Sequence, residues 1–412
     1  MAEALNSICV IGLGYIGLPT AATLAGAGLE VKGVDIRAEV VDTLNDGRAH
    51  FAEPDLDMLV QSAVESGRLI AFTQAQPADA FVITVPTPIR EDKSPDMRFV
   101  EEAAKSVARV AAPGNLVVLE STSPVGTTEN MARIIAEERP DLVEEGRLAL
   151  SIAYCPERIL PGQMVRELVE NDRIVGGLAP EDSARARALY ETFVRGAILE
   201  TDAKTAELVK LIENAYRDVN IAFANEVANV ADPHGIDPWE AIRLANHHPR
   251  VNILNPGPGV GGHCIAVDPW FLISHEPART PLMSAARQVN DGRPEAVLKK
   301  VREAAGRVGG KKIACLGLAF KPNVDDLRES PAVEIVARLA EEGFEISAVE
   351  PHVSALPGRL DKLANVGLAD FDDAVARADI VLLLVAHAAF AEGKATTEGM
   401  PVIDCVGLWR DN

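Results

Sequence analysis

The cysteine at position 264 closes a loop that is rich in glycine and proline. The segment from Asn255 to Cys264 reads NPGPGVGGHC, and more than half of its residues are Gly or Pro. Such a backbone follows a special path and can approach a bound molecule closely. A thiol there can act as a nucleophile when neighbouring groups stabilise its thiolate. His263 and Asp268 are the local candidates for that task.

A glycine fingerprint stands near the start of the chain, where GLGYIG at residues 12–17 follows the apolar run at 8–11. This strand, turn and helix pattern predicts that helix N-terminal amides hold a pyrophosphate. The next strand ends in Asp35, where a carboxylate would bind the adenosine ribose hydroxyls and repel a 2′-phosphate. NAD is therefore predicted rather than NADP, although Arg37 could accommodate that phosphate.

The fingerprint changes the interpretation of Cys264. An isolated cysteine is most often a small buried core residue. In a dehydrogenase, however, a cysteine nucleophile can carry the oxidation of an alcohol past the aldehyde to the acid. The two motifs together therefore favour a catalytic thiol.

Composition excludes several classes of protein. The chain has 412 residues, enough for two or three domains, and a formal net charge of -21, which argues against a nucleic-acid or anionic-membrane surface. Its first residues, MAEALN, show no signal peptide, and no apolar run reaches the length of a membrane span. These features predict a cytoplasmic protein. The five cysteines form no CxxC pair and the eight histidines no HExxH motif, so no metal site is predicted.

Strand-like and helix-like segments alternate, which is typical of an α/β fold with a doubly wound parallel sheet. Polar residues follow three of the apolar runs: Thr87 after 80–85, Thr122 after 116–119 and Glu157 after 149–154. Ligands of such sheets lie beyond the carboxyl ends of the strands. We therefore expect these residues to face the cofactor and the reacting centre. The alternative is that the threonines only cap the following helices.

The stretch 202–231 lacks Gly and Pro and predicts one helix of about 30 residues. Lys210, Asn214 and Arg217 are spaced by four and three, which places them along one face. Such a stripe is commonly solvated. The apolar neighbours, including Leu208 and Phe223, instead predict a mostly buried helix whose polar groups need partners.

The strand pattern restarts at Lys312, with further strand-like runs at 345–349, 380–385 and 402–405. A second nucleotide-binding domain without the glycine fingerprint is predicted there, using Lys321 and Arg328. Ser330 and Pro331 fit the cap and first position of a helix. The predicted division is a Rossmann-like NAD domain at 1–200, a central helical region at 201–300 and a Rossmann-like nucleotide-sugar domain at 301–412.

Seven motifs occur in order along the chain: GLGYIGLPTA, VPTP, ESTSPVGTT, YCPERILPG, KLIENAYRDVNIAFANE, NPGPGVGGHCIAVDP and GLAFKPNVDDLRESP. Together they resemble the UDP-glucose/GDP-mannose dehydrogenase family of nucleotide-sugar 6-dehydrogenases, over essentially the whole chain. The resemblance implies oxidation of the sugar's carbon 6 alcohol by NAD in two steps. The aldehyde is captured by the cysteine as a thiohemiacetal, and water cleaves the thioester that follows.

The resemblance also implies roles for individual residues. Cys264 matches the nucleophile, Lys210 the general acid/base or oxyanion stabiliser with Asn214 in support, and Glu157 and Asp268 the carboxylates of proton transfer. The residues that the resemblance implies in NAD binding are Tyr15, Ile16, Asp35, Thr87, Thr122 and Arg328. They join Gly12, Gly14, Gly17 and Arg37, which the fingerprint and the second strand already predict at the cofactor. Those implied in nucleotide-sugar binding are Arg158, Ile159, Lys210, Asn214, Arg217, His248, Arg250, Gly261, Phe320 and Lys321. A homodimer through the long helix is implied as well.

The segments RDVNIAFANE, RLANHHPRVNIL and GHCIAVDPWF most resemble the members of this family that act on UDP-N-acetyl-D-mannosamine. This resemblance implies that substrate and a role in surface polysaccharide synthesis. UDP-glucose, UDP-N-acetylglucosamine and GDP-mannose are the alternatives, because pocket specificity rests on few contacts. The alternatives of another class are a nucleotide-sugar epimerase, a two-electron dehydrogenase and a non-catalytic NAD-binding regulatory protein. They differ in the number of NADH formed per sugar.

Overall fold

The computed structural model describes residues 5–159 and 162–410. Residues 1–4 lie outside the described residues, and the prediction that the chain has no signal peptide rests in part on them. Leu160 and Pro161 of the YCPERILPG motif also lie outside the described residues. The chain forms two compact units, Met1–Ile212 and Glu213–Asn412.

The described strands of the first unit are, in chain order, β1 (Ser7–Ile11), β2 (Glu30–Val34), β3 (Leu69–Phe72), β4 (Ala80–Ile83), β5 (Leu116–Leu119), β6 (Val143–Glu144), β7 (Arg147–Leu148), β8 (Ser151–Tyr154), β9 (Arg173–Gly177) and β10 (Ile198–Asp202). Eight of them form a sheet in the order β10-β9-β8-β5-β4-β1-β2-β3, and β6 pairs with β7. Neighbours in the large sheet are parallel, except that β8 and β9 are antiparallel.

The helices between these strands are α1 (Gly17–Gly26), α2 (Ala38–Asn45), α3 (Leu56–Glu65), α4 (Arg98–Ala108), α5 (Thr127–Glu138), α6 (Met164–Glu170) and α7 (Pro180–Tyr190), with a 3-10 turn at Pro140–Leu142. Strand β1 shows how they cover both faces of the sheet. Ile8 and Val10 join one buried cluster with Leu18 of α1, whereas Cys9 and Ile11 join another. This alternation explains why the strands are continuously apolar.

Helix α8 (Ala203–Ala231) has 29 residues, which confirms the predicted long helix. The boundary between the two units falls inside it, after Ile212. The prediction that it is mostly buried was wrong for one face, because Leu208, Ile212 and Phe223 are 41%, 43% and 51% exposed. The helical period separates these side chains from the buried ones such as Leu211.

The second unit contains the five described strands β11 (Lys312–Leu316), β12 (Glu345–Val349), β13 (Val366–Leu368), β14 (Ile380–Leu383) and β15 (Val402–Asp404), in the parallel order β13-β12-β11-β14-β15. Its helices are α9 (Pro238–Ala245), α10 (Asp268–His275), α11 (Pro281–Asp291), α12 (Arg293–Val308), α13 (Pro331–Glu341) and α14 (Phe371–Arg377). Short 3-10 turns lie at Asp232–His234, Pro277–Arg279, Ala388–Phe390 and Gly393–Thr397.

The first strand of each sheet leads into the same kind of turn. Gly12 after β1 and Gly317 after β11 both have a φ of 93°. The N–H of Gly12 donates to the carbonyl of Val34 at 2.8 Å, and the N–H of Gly317 donates to that of Val349 at 2.8 Å. The second unit therefore repeats the first strand-turn geometry of the NAD-type fold, which agrees with the predicted second nucleotide-binding domain.

Helix α13 begins as predicted. The Ser330 side chain accepts a hydrogen bond from the N–H of Ala332, and Pro331 occupies the first helical position. Within the described part of the chain, none of the helices combines the length and apolarity that crossing a membrane requires.

Candidate active site

The glycine turn after β1 has the shape that a dinucleotide requires. A Cβ on Gly12 would lie 2.8 Å from the carbonyl oxygen of Thr84, and one on Gly17 would lie 2.4 Å from Thr84 Oγ1. A Cβ on Gly14, by contrast, would meet no atom of the described residues within 4 Å. This open space beside the start of α1 suits a pyrophosphate, so the residues present fit NAD.

Asp35 lies at the carboxyl end of β2 and is 8% exposed. Its carboxylate accepts hydrogen bonds from the N–H of Leu13 at 3.3 Å and from Nε of Arg37 at 3.2 Å. Burial disfavours the charged carboxylate, but the hydrogen bonds from Arg37 and Leu13 outweigh it and lower the pKa of Asp35. The group is therefore an anionic acceptor at neutral pH, which suits ribose hydroxyls.

Tyr15 and Ile16, which follow Gly14 in the glycine fingerprint, lie directly before α1. Tyr15 is 43% exposed, and its ring lies 4.5 Å from the ring of Phe51. Ile16 is the N-cap residue of α1 and contributes no side-chain hydrogen bond to the helix. The start of α1 thus has no side-chain cap at the position where a phosphate would be bound.

Strands β1, β4, β5 and β8 are neighbours in the sheet, so the residues after their carboxyl ends share one edge. Thr87 follows β4, Thr122 follows β5 and Glu157 follows β8. The N-cap residues of α4 and α5 are Met97 and Gly126, so neither threonine caps the next helix. The arrangement favours the cofactor-facing interpretation of both threonines.

The Glu157 side chain belongs to a buried ionic cluster. Arg173 Nη1 donates to the Glu157 carboxylate at 2.9 Å and lies 3.9 Å from the Glu120 carboxylate. Glu120 also accepts a hydrogen bond from the hydroxyl of Tyr190 at 2.6 Å. Burial raises the pKa of Glu120, and the neighbouring Glu157 carboxylate adds to the rise, whereas the Arg173 guanidinium opposes it.

The side chain of Lys210, in α8, is hydrogen-bonded to the backbone of Glu157. Its Nζ donates to the carbonyl oxygen of Glu157 at 2.7 Å, and the residue is 8% exposed. A lysine ammonium has three N–H donors, one of which is engaged here. Glu157 therefore positions Lys210 through its backbone, while its carboxylate is bound to Arg173.

Cys264 is exposed, whereas the chain's other four cysteines, all within the described residues, are buried. Burial raises the pKa of Cys9 to about 11 and the pKa of Cys155 and Cys405 to about 12, and it raises the pKa of Cys315 as well. These four thiols are therefore poor nucleophiles. Among the cysteines, accessibility singles out Cys264.

Asn214 and Asp268 form a buried pair in the second unit. Asn214 Nδ2 donates to Asp268 Oδ2 at 2.5 Å, and the two residues are 8% and 3% exposed. The backbone N–H of Asp268 donates to the carbonyl of Cys264 at 2.8 Å. The carboxylate of Asp268 thus lies in the first turn of α10, four residues after the thiol, and Asn214 fixes its orientation.

The segment 255–264 that ends in Cys264 is called the cysteine loop. Its glycines pack against the segment that follows β11. A Cβ on Gly261 would lie 2.5 Å from the carbonyl oxygen of Glu329, and one on Gly262 would lie 2.8 Å from the ring of Phe320. Lys321 Nζ lies 5.8 Å from the centroid of that ring. The structure therefore brings Gly261, Phe320 and Lys321 together, all three of which the sequence assigned to the nucleotide sugar.

Arg328, predicted to bind NAD, lies on the exposed surface of the second unit. Its guanidinium forms an ion pair with Asp326 at 2.6 Å. Burial and the nearby charge of Arg328 lower the pKa of His263. The neutral imidazole is therefore favoured next to Cys264.

The remaining predicted substrate ligands are at least partly exposed. Arg158 and Ile159 are partly exposed, and the Arg158 guanidinium donates to the carbonyl of Asp172. Arg217 of α8 is exposed, unlike Lys210 and Asn214. In the second unit, His248 and Arg250 are also exposed, and the N–H of Arg250 donates to His248 Nδ1 at 3.3 Å.

Glu350 of the second unit corresponds to Asp35 of the first, because each residue directly follows the second strand of its unit. Glu350 follows β12, and its Oε2 accepts hydrogen bonds from the N–H groups of Leu318 at 2.7 Å and Ala319 at 3.0 Å. His387 Nε2 lies 3.1 Å from the same oxygen. Ligand atoms of Glu350, His352 and His387 lie within 4.8 Å of one another, a spacing that could hold a metal ion. The hydrogen bonds instead indicate that Glu350 shapes the turn.

Several buried polar residues were not predicted from the sequence. In the first unit these are Glu120, Arg173 and Tyr190. In the second they are Asp218, Asn225, Asn290, Arg287 and Arg293, each at most 8% exposed. A charged residue next to an apolar run, such as Glu120 after LVVL, was the available signal.

Comparison with protein families matches three parts of the chain to the UDP-glucose/GDP-mannose dehydrogenase family. Residues 6–194 match its NAD binding domain, residues 204–292 its central domain and residues 314–411 its UDP binding domain. The chain belongs to this family. It is therefore an NAD-dependent nucleotide-sugar dehydrogenase, an oxidoreductase.

Individual relatives are similar over nearly the full length. The UDP-N-acetyl-D-mannosamine dehydrogenase of Yersinia pestis is 53% identical over 419 residues, covering 98% of this chain and 99% of the relative. The NDP-N-acetyl-D-galactosaminuronic acid dehydrogenase of Ralstonia solanacearum is 53% identical over 412 residues, covering 98% and 96%. A solved UDP-D-ManNAc dehydrogenase from Pyrococcus horikoshii superposes with a TM-score of 0.89 at 37% identity, covering 98% and 96%.

Proposed function

We propose that the protein oxidises carbon 6 of UDP-N-acetyl-D-mannosamine to the carboxylate in two NAD-dependent steps, with Cys264 as the covalent nucleophile. The observation that carries the proposal is the exposure of Cys264 at the end of its glycine loop, while the other cysteines are buried. A single oxidation to the aldehyde needs no thiol. A thiol is needed when the aldehyde must be converted into an oxidisable adduct.

In the first oxidation, Lys210 stabilises the oxygen of the reacting alcohol as that hydroxyl passes its proton to water. The hydrogen bond to the carbonyl of Glu157 fixes the ammonium in place. The glycine turn and Asp35 would hold NAD, which would supply the hydride acceptor for both oxidations. Glu157 acts in this scheme as a positioning residue for Lys210.

The aldehyde is then attacked by the Cys264 thiolate to give a thiohemiacetal. Oxidation of this adduct leaves a thioester, and water cleaves the C–S bond to give the carboxylate and the free thiol. Asp268 lies four residues after Cys264, at the start of α10, and can accept the proton of that water. Its hydrogen bond from Asn214 holds the carboxylate in one orientation.

The N-acetylmannosamine assignment rests on similarity at the level of whole chains. The Yersinia pestis relative bears that name at 53% identity. The Ralstonia solanacearum relative, also 53% identical, is named for N-acetyl-D-galactosaminuronic acid. Nucleotide-linked N-acetyl-D-galactosamine is therefore the second candidate substrate.

A substrate panel distinguishes these candidates. NADH formation is measured with UDP-N-acetyl-D-mannosamine, UDP-N-acetyl-D-galactosamine, UDP-N-acetylglucosamine, UDP-glucose and GDP-mannose. The proposal requires the highest kcat/KM for the mannosamine sugar and two NADH per sugar consumed. A preference for the galactosamine sugar would favour the second candidate, and one NADH per sugar would exclude the four-electron reaction.

Replacement of the thiol tests the covalent step. Cys264→Ser should bind the nucleotide sugar but form no uronate at steady state, because a serine hydroxyl is much less ionised and forms no thioester. Product analysis by mass spectrometry and binding by calorimetry separate these effects. Uronate formation near the unmodified rate would remove Cys264 from the mechanism.

We further propose a homodimer in which α8 packs against a second copy of this chain. Leu208, Ile212, Tyr216, Phe223 and Val230 lie on one side of the helix and are between 41% and 66% exposed. Exposed apolar stripes of this kind mark protein interaction sites. The stripe is the feature that supports the proposal.

The oligomeric state can be tested by light scattering over a concentration series. Phe223→Glu should shift the protein towards the monomer, because it places a charge in the apolar stripe. Lys299→Glu, at an exposed position of α12, serves as the control for a changed surface charge. A monomeric parent protein would contradict the proposal.

A further inference from the structure

The irregular segment that leads to Cys264 is held by asparagine side chains. Asn246 accepts from the N–H of Ile253 at 2.7 Å and donates to its carbonyl at 2.9 Å. Asn220 accepts from the N–H of Leu254 at 2.9 Å. These carboxamides supply hydrogen bonds that a neighbouring strand would otherwise make.

Asn225 extends this series to Gly257, the first glycine of the cysteine loop. The N–H of Gly257 donates to Asn225 Oδ1 at 3.0 Å. Arg293 Nε donates to the carbonyl of Gly257 at 2.9 Å. Both polar backbone atoms of Gly257 are thus bound by side chains that are 0% and 8% exposed.

The orientation of the Asn225 carboxamide is dictated from deeper in the second unit. Arg287 Nη1 donates to Asp218 Oδ1 at 2.7 Å, and Asn290 Nδ2 donates to the same oxygen at 2.8 Å. Asn290 Oδ1 then accepts from Asn225 Nδ2 at 2.8 Å. Because a carboxylate only accepts, Asn290 turns its NH₂ towards Asp218 and its oxygen towards Asn225. Asn225 in turn directs its NH₂ at Asn290 and its oxygen at the N–H of Gly257.

The loop beyond Gly257 has little room to absorb a shift. Gly259 and Gly262 have φ values of 150° and 82°, which favour glycine. A Cβ on Gly259 would lie 2.8 Å from Pro331, so the backbone packs closely on the start of α13. A displacement at Gly257 would therefore be transmitted towards Cys264.

We propose that Asn225 is a positioning residue for Cys264, acting by fixing Gly257 in the register that the Asp218–Asn290 pair dictates. The proposal rests on the function proposed above, in which the Cys264 thiolate captures an aldehyde. Capture requires the sulfur to lie about 3–3.5 Å from the carbonyl carbon, and a displacement of about 1 Å can cost about a hundredfold in rate. The first oxidation does not use the thiol.

Loss of the Asn225 contact should therefore uncouple the two oxidations. In Asn225→Ala the alcohol is still oxidised to the aldehyde with one NADH, but the misplaced thiolate captures it slowly and the aldehyde escapes. We expect NADH per sugar to fall from two towards one and uronate formation to fall by about a hundredfold. Aldehyde trapped with hydroxylamine should rise correspondingly.

Two further variants separate positioning from stability. Asn225→Asp keeps an oxygen for the Gly257 N–H but loses the donor to Asn290, so it should unfold more easily and yet retain two NADH per sugar. Asn45→Ala removes the same kind of contact elsewhere, since Asn45 bonds both the N–H and the carbonyl of Ala71. It should lower the melting temperature without releasing aldehyde.

Hydrogen exchange across residues 255–264 gives a readout independent of turnover, and it should accelerate in Asn225→Ala but not in Asn45→Ala. An Asn225→Ala enzyme that forms two NADH per sugar, or an Asn225→Asp enzyme that releases aldehyde equally, would overturn the positioning role. If the parent enzyme itself makes one NADH or none, the proposed function fails, whereas the exchange comparison still reports on the loop.

Discussion

The guanidinium of Arg173 donates a hydrogen bond to the carboxylate of Glu157 over 2.9 Å, with both side chains at most 7% exposed. The pair lies in the first unit, and the backbone carbonyl of the same Glu157 accepts a hydrogen bond from Lys210. The same arginine is the nearby positive charge for Glu120. Arg173 thus supplies the positive charge of a cluster that contains two buried carboxyl groups.

Removal of that cation should destabilise the fold. Arg173→Met leaves Glu120 and Glu157 buried without a positive partner, and breaking such a pair costs about 3–5 kcal/mol of unfolding free energy. Chemical denaturation at neutral pH measures the loss. Arg187→Met, which removes an exposed arginine paired with Glu191 on α7, is the matched control and should leave the transition unchanged. Equal midpoints for the two variants would contradict the assigned importance of the cluster.

The Glu120 carboxyl predicts a specific pH dependence of stability. Burial raises its pKa from 4.5 to about 7 despite the opposing charge of Arg173, so the folded state binds a proton that the unfolded state has lost. Its contribution to stability is then fully present below about pH 4.5 and is lost as the pH rises towards 7.

Glu120→Gln removes this titration, so its unfolding free energy relative to the parent protein should increase as the pH rises across that window. Denaturation curves at several pH values for both proteins measure the difference. Glu144→Gln, at an exposed position, provides the control for loss of a negative charge. Parallel pH profiles for Glu120→Gln and the parent protein would show that folding does not raise the pKa of this carboxyl.

Local patterns predicted the parts of the fold whose determinants lie close together in the chain. The glycine turn at 12–17, the cap at Ser330 and the long helix α8 each depend on neighbouring residues, and all three were confirmed. Strand β13 has three residues and was missed, because so short a segment shows no clear alternation.

The polar clusters could not be predicted in the same way. Arg173 is 16 residues from Glu157, and Asn225 is 32 residues from Gly257. Their meaning depends on which distant partners the fold brings to them, since an arginine or asparagine alone is most often exposed. The exposed side of α8 was misjudged because a helix with two apolar faces gives the same composition whether or not both faces are covered.

Cofactor choice can be tested at Asp35. Asp35→Ala removes the ribose acceptor, and hydrogen bonds to a charged group contribute about 1.5–3 kcal/mol, so NAD affinity should fall by about tenfold or more. The ion pair with Arg37 is broken as well, which frees a guanidinium that can meet a 2′-phosphate. The preference for NAD over NADP should therefore narrow.

Dissociation constants for both cofactors, measured by fluorescence titration, give this result directly. Arg48→Ala, which removes an exposed arginine paired with Asp46, is the control and should leave the binding of both cofactors unchanged. A parent enzyme that binds NADP as well as NAD would show that Arg37, not Asp35, governs the pocket.

Lys210 provides the sharpest test of the catalytic assignments, because its ammonium is buried and fixed to the carbonyl of Glu157. Lys210→Ala should lower turnover by about a hundredfold or more, as expected for the loss of an oxyanion donor, with a smaller change in sugar affinity. Lys204→Ala, on the same helix but exposed and paired with Glu129, should retain normal turnover. A purely structural lysine would instead lower the melting temperature and leave turnover per folded active site intact. Measuring kcat, sugar affinity and melting temperature on both variants distinguishes the two roles, and a stable Lys210→Ala enzyme with normal turnover would end the catalytic assignment.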